Sequence, residues 1–272
     1  MYPRLFQFGH IAIPTNGVFT AIALIAALAI AMQTARSLAL DPNKIWNLGL
    51  IGIFTTLLGS RLLLVLFHPS DFLAHPFWML GVIGIRSQGI FYGSVLLAIC
   101  VCHGYIFAAR LPLWRTLDCL APAAAFGIAV HSLGELAAGA NYGTPTTAPW
   151  GVIYRHGLAG LWSGTPLGVC LHPVQLYEAL IVLALCAFLL FRLPRRAYEG
   201  DLAGTFLFVY GISFYFLDFY RGDRSFVCRG AVTMVQLVAI VFVLAGAALW
   251  LRRKPAPLRQ HLSEYDSQTQ IR

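Results

Sequence analysis

Charge is scarce in this chain. Only 11% of its 272 residues are Asp, Glu, Lys or Arg, against 58% hydrophobic residues and a mean hydropathy of +0.72, which excludes an ordinary soluble globular domain. Metal-binding patterns are missing as well. The six cysteines, at 100, 102, 119, 170, 186 and 228, include no CxxC pair, and no HExxH is present, so the cysteines read as small apolar residues. The N-terminal apolar run has neither the basic flank nor the small-residue cleavage site of a secretory leader, so it is expected to remain as a span. No internal repeat and no matched pair of broken helices is detectable, which weighs against a transporter. The net charge of +8 calls for no nucleic acid, because basic residues beside a membrane favour anionic lipid surfaces.

What the chain has is apolar length. Stretches at 17–35, 46–67, 89–109, 117–138, 174–192, 203–220 and 231–251 approach the roughly 20 residues that cross a hydrocarbon core of about 30 Å. The expectation is an all-α polytopic membrane protein of about seven transmembrane helices, one membrane domain over 1–254 and a polar cytoplasmic tail over 255–272. The interrupted segment 72–85, with His75 and Pro76, reads as a re-entrant or interfacial piece. One long loop, 139–171, is dense in Gly, Pro, Thr and aromatics without an obvious element, and loops of that length are usually functional. One side of the membrane would carry twelve Lys and Arg and the other six, with Arg61 inside a span. The excess of positive charge places the N-terminus and the long loop outside and the C-terminus in the cytoplasm.

Ionisable residues at membrane depth cost roughly 2.5–3.5 kcal/mol each, so those present are functional candidates. Arg61 lies in the second stretch, and Arg86 and Gln88 open the third. His131 and Glu135 share one face of the fourth at spacing i, i+4. His172 and Glu178 flank the start of the fifth, while Asp218 and Arg221 end the sixth. Most fall near the outward helix ends. Gly89, Gly93, Gly127, Gly134 and Gly139 read as points where helices approach closely.

FQFGHIAIPTNG, GSRLLLVLF, DCLAPAAAFGIAVHSLGEL, HPVQLYE and GTFLFVYGISFYFLDFYRGD, in that order, resemble the prolipoprotein diacylglyceryl transferase family over nearly the whole chain. That resemblance implies a bacterial inner-membrane enzyme that moves the diacylglyceryl group of phosphatidylglycerol to the lipobox cysteine of a lipoprotein precursor. No cofactor is implied. Arg61, Glu178, Tyr210 and Arg221 match retained family positions, as do His172, Gln175, Tyr177 and Gln236, and lipid-binding roles are expected for Arg61, Glu178, Tyr210 and Arg221 together with Arg86.

The match has gaps at positions that matter. The family's essential histidine falls on Gln88, its signature arginine on Ser132, its asparagine on Glu135, a further arginine on Phe214 and an opening aromatic on Asn16. The site would lose positive charge and gain a carboxylate. The reading is a re-specialised transferase whose catalytic set is His131, Glu135, Gln88 and His172, moving a lipid group from a phospholipid donor to a thiol or another acceptor. The alternative is a non-catalytic descendant that binds lipid or a lipoprotein.

Overall fold

The computed structural model describes residues 2–8, 11–74, 88–227 and 230–252. A hairpin of β1 (Arg4–Phe8) and β2 (Ile11–Pro14) leads into α1 (Thr15–Ser37), where the Thr15 hydroxyl and amide both tie back to the chain at Tyr2 and Pro3. Helices α2 (Pro42–Phe67), α3 (Pro69–Ala74), α4 (Gln88–Ala108) and α5 (Leu113–Ala138) follow. The 139–171 loop carries β3 (Val152–Ile153), α6 (Gly157–Ser163) and β4 (Cys170–Leu171). Beyond it run α7 (Val174–Arg192), α8 (Asp201–Asp218), the strand pair β5 (Phe226–Val227) and β6 (Val232–Thr233), and α9 (Met234–Arg252).

Each of the seven expected spans coincides with a helix, and six of those helices are long and apolar enough to cross a membrane. The seventh, α8, is 18 residues with an aspartate at each end, which lowers its hydropathy although its length of about 27 Å is close to the bilayer core. The molecule is an all-α polytopic membrane protein. Of the expected interfacial segment 72–85, residues 72–74 finish α3 and the rest lie outside the described residues, as does the 255–272 tail. The 139–171 loop does contain structure, but strands of two residues are too short to show alternation in sequence.

Two compact units are formed, one by the described residues of Met1–Ile30 and Leu117–Arg272, the other by those of Ala31–Thr116. In the second, Asp41 caps α2 by accepting from the Asn43 amide at 2.9 Å, Pro42 occupies the first turn, and the Lys44 ammonium donates to the Ala109 carbonyl at 3.0 Å. The first unit is organised by one three-helix seam. Ala121, Ala125 and Ala129 repeat every four residues on α5, facing Val182, Leu185, Cys186 and Leu189 of α7 and Leu202, Phe206 and Tyr210 of α8. Small residues on α5 let the backbones approach where lipid supplies no hydrophobic drive.

One end of this seam is held by a buried carboxylate. Asp118 accepts from the amides of Gly200, Leu202 and Ala203 at 2.8, 2.9 and 3.0 Å, closing the N-terminus of α8, with Arg196 Nη1 at 3.9 Å. Thr233 and Gln236 exchange reciprocal bonds at 3.1 Å, a capping box that starts α9. Asp218 joins them, accepting from the Thr233 hydroxyl at 2.8 Å with Arg224 Nε at 3.3 Å. That aspartate is therefore tied into a helix-end network.

Candidate active site

Polar groups converge at the end of the seam away from Asp118. One turn beyond Ala129 on α5 lies Ser132, one turn before Val182 on α7 lies Glu178, and the stripe on α8 ends at Tyr210. Their side chains meet. Glu178 accepts from the Ser132 hydroxyl at 3.0 Å on one oxygen and from the Tyr210 phenol at 2.8 Å on the other. Tyr210 is held in a ladder of near-parallel rings, Phe206 at 5.5 Å and Phe214 at 5.2 Å. Ser132 and Phe214 are two of the positions where an arginine was expected, and both now serve Glu178, one as donor and one by fixing the donor's ring.

A second network adjoins the first on α5. His131 Nε2 lies 3.2 Å from Glu135 Oε1, with the His131 side chain 43% exposed and Glu135 only 10%. The imidazole is reachable and its carboxylate is shielded. On the other side His131 Nδ1 is 3.0 Å from the Thr20 hydroxyl, which is also 2.7 Å from the Asn16 carbonyl. Neutral His131 donates from Nε2 to Glu135 and accepts the Thr20 proton at Nδ1. Protonated His131 donates at both nitrogens, and Thr20 turns its proton to Asn16. Each protonation state thus has a complete set of partners, exchanged by rotating one hydroxyl. The approach of α1 that allows this depends on Gly134, where a Cβ would collide with Phe19 and sit 3.5 Å from Asn16 Cα.

Asn141 and Asp223 were not singled out in the sequence. Asn141, in a left-handed conformation at φ 51°, bridges the network to Arg221. Its amide nitrogen donates to Glu135 and its oxygen accepts from Arg221 Nη2 at 2.8 Å. Because a guanidinium only donates, this fixes the amide orientation. Arg221 also grips Asp223 through Nε at 3.0 Å and Nη2 at 2.8 Å. Burial alone would lower the Arg221 guanidinium, but Asp223, Glu135 and Glu178 outweigh it and raise it. A left-handed asparagine just past a helix was the signal available in AGANYG.

The remaining candidates are distributed as follows. His172 Nδ1 is 3.2 Å from the Tyr177 hydroxyl and its ring meets Tyr220 edge-on at 5.3 Å, next to Arg221 in the chain. Gln88 begins α4, but its side chain, like Arg86, lies outside the described residues. Arg61 is half-buried on α2 in the second unit. His131, Glu135, Glu178, Tyr210, Arg221 and His172 fall in the first unit. Among the described residues no group of three His, Cys, Asp or Glu is arranged to hold a metal ion.

A family model described as prolipoprotein diacylglyceryl transferase matches residues 3–252. The chain is similar to a protein of Finegoldia magna, 27% identical over 92% of this chain and 94% of the relative. It is also similar to one of Geobacter sulfurreducens, 29% identical over 94% and 97%, and one of Gluconobacter oxydans, 31% identical over 96% of each. All three bear the name phosphatidylglycerol–prolipoprotein diacylglyceryl transferase.

Proposed function

Because the chain belongs to the prolipoprotein diacylglyceryl transferase family, we propose that it is a transferase of the bacterial cytoplasmic membrane, with its N-terminus outside and its C-terminus in the cytoplasm. The donor is a phospholipid, phosphatidylglycerol by analogy with the relatives' names, and the acceptor is the cysteine thiol of a lipoprotein precursor. The observation that carries this reading is the reachable His131 backed by shielded Glu135 at 3.2 Å.

In this reading His131 is the general base. The acceptor thiol gives its proton to the Thr20 oxygen as the Thr20 hydroxyl proton passes to His131 Nδ1, and the thiolate forms a C–S bond at the terminal glyceryl carbon. The C–O bond to phosphate breaks with its electron pair, and glycerol phosphate leaves. Glu135 orients the imidazole and offsets the positive charge it gains, and Asn141 holds Glu135. Glu178, Tyr210, Arg221 and His172 border the donor lipid.

A second reading rests on a specific observation. Arg221 is bound bidentately by Asp223, and Ser132 and Phe214 are neutral, so the described part of the site has little cation to spare for a phosphate leaving group. That favours a descendant that binds a lipid or a lipoprotein without turnover. Purified protein given labelled phosphatidylglycerol and a lipobox peptide distinguishes the two. Transfer of label to the peptide supports the transferase; binding of the lipid without transfer supports the alternative.

A further inference from the structure

Trp150 is 63% exposed on the 139–171 loop, yet its place is fixed from several directions. It occupies the third position of the turn Ala148–Gly151, closed by the Gly151 amide on the Ala148 carbonyl at 3.0 Å, with Pro149 setting the second position. The Thr146 hydroxyl accepts from the Ala148 amide at 3.1 Å. Gly151 lets the turn pack closely on the opposite strand, where a Cβ would run into the Cys170 sulfur. The strands on either side of the turn are stitched together, Thr146 N to Cys170 O and His172 N to Thr144 O, both at 2.9 Å, and Val152 pairs with Leu171. An exposed indole is thereby aimed at one atom. Its N–H donates to the Tyr177 hydroxyl at 2.7 Å.

The consequence follows from counting protons. An indole N–H only donates, so Tyr177 accepts it and keeps one proton of its own to give. Among the described residues the hydroxyl's other partner is His172 Nδ1 at 3.2 Å. We propose that Trp150 is a positioning residue that, through Tyr177, fixes His172 as the tautomer carrying its proton on Nε2. In that form His172 presents Nε2 as a hydrogen-bond donor and not as a base, which separates its role from that of His131. This assignment of work between the two histidines rests on the transferase reading; the tautomer itself does not.

The test uses the full chain in detergent micelles with 15N-labelled histidine, His172 being assigned by its loss in His172→Gln. Long-range 1H–15N correlation should show wild-type His172 as one neutral tautomer with the proton on Nε2. Trp150→Phe keeps the ring and removes the donor, which frees Tyr177 to accept from Nδ1 instead, so the signals should shift toward a mixture of tautomers. Tyr177→Phe, which leaves Trp150 in place, should do the same and covers the case in which the Trp150 variant folds poorly. Wild-type His172 protonated on Nδ1, or an unchanged tautomer in both variants, overturns the proposal. Turnover is measured separately: in Trp150→Phe kcat should fall about tenfold with KM little changed, one hydrogen bond's worth. An inactive wild type with the expected tautomer shift would count against the transferase reading alone.

Discussion

The Tyr210 phenol donates to Glu178 at 2.8 Å across the seam between α8 and α7. Tyr210→Phe keeps the aromatic ladder and leaves an oxygen of the half-buried Glu178 carboxylate without that donor. A loss of about 0.5–1.5 kcal/mol in unfolding free energy is expected. Thermal melts of the purified variant check it, and an unchanged midpoint would show that Glu178 is satisfied without Tyr210.

Asp118 sits at the opposite end of the seam, 0% exposed and bound to three backbone amides. Asp118→Ala should cost stability, again roughly 1–3 kcal/mol, by uncapping α8. Its effect on turnover at a temperature where the variant stays folded should be small. Loss of activity in a fully folded Asp118→Ala protein would contradict a purely structural role.

Gly134→Ala places a methyl group against Phe19 and pushes α1 from α5. Overpacking of this kind costs about 1–3 kcal/mol. The more specific expectation is that the Thr20 to His131 contact opens, so activity should fall by more than the change in melting temperature explains.

These features differ in how far they were legible in sequence. Helices declare themselves through apolar length, and His131 with Glu135 through the four-residue repeat, because both signals are local. The partners of those residues are not local. Asp118 closes a helix more than eighty residues away, and Glu178 finds donors on two other helices. Asn141 enters by a left-handed residue after α5 and Trp150 by a tight turn, neither of which has a periodic signature.

Tyr154 in the 139–171 loop is 2% exposed, and burial pushes its phenol up to about 12. The neutral form is favoured by the fold, so the folded state holds its proton where the unfolded chain, titrating near pH 10, has released it. Stability should therefore decline as pH rises from about 10 toward 12. Tyr154→Phe should remove that decline; a variant with the wild-type alkaline slope would assign it to another group.

The central claim is that His131, backed by Glu135, is the working base. The direct measurement is transfer of labelled diacylglyceryl from phosphatidylglycerol to a lipobox peptide by wild type, His131→Ala and Glu135→Gln, with folding of each checked by circular dichroism. Wild type should transfer label, with a loss of about 10²–10⁴-fold in His131→Ala and roughly 10–100-fold in Glu135→Gln and with secondary structure retained. Full activity in both variants, or none in the wild type, would contradict it.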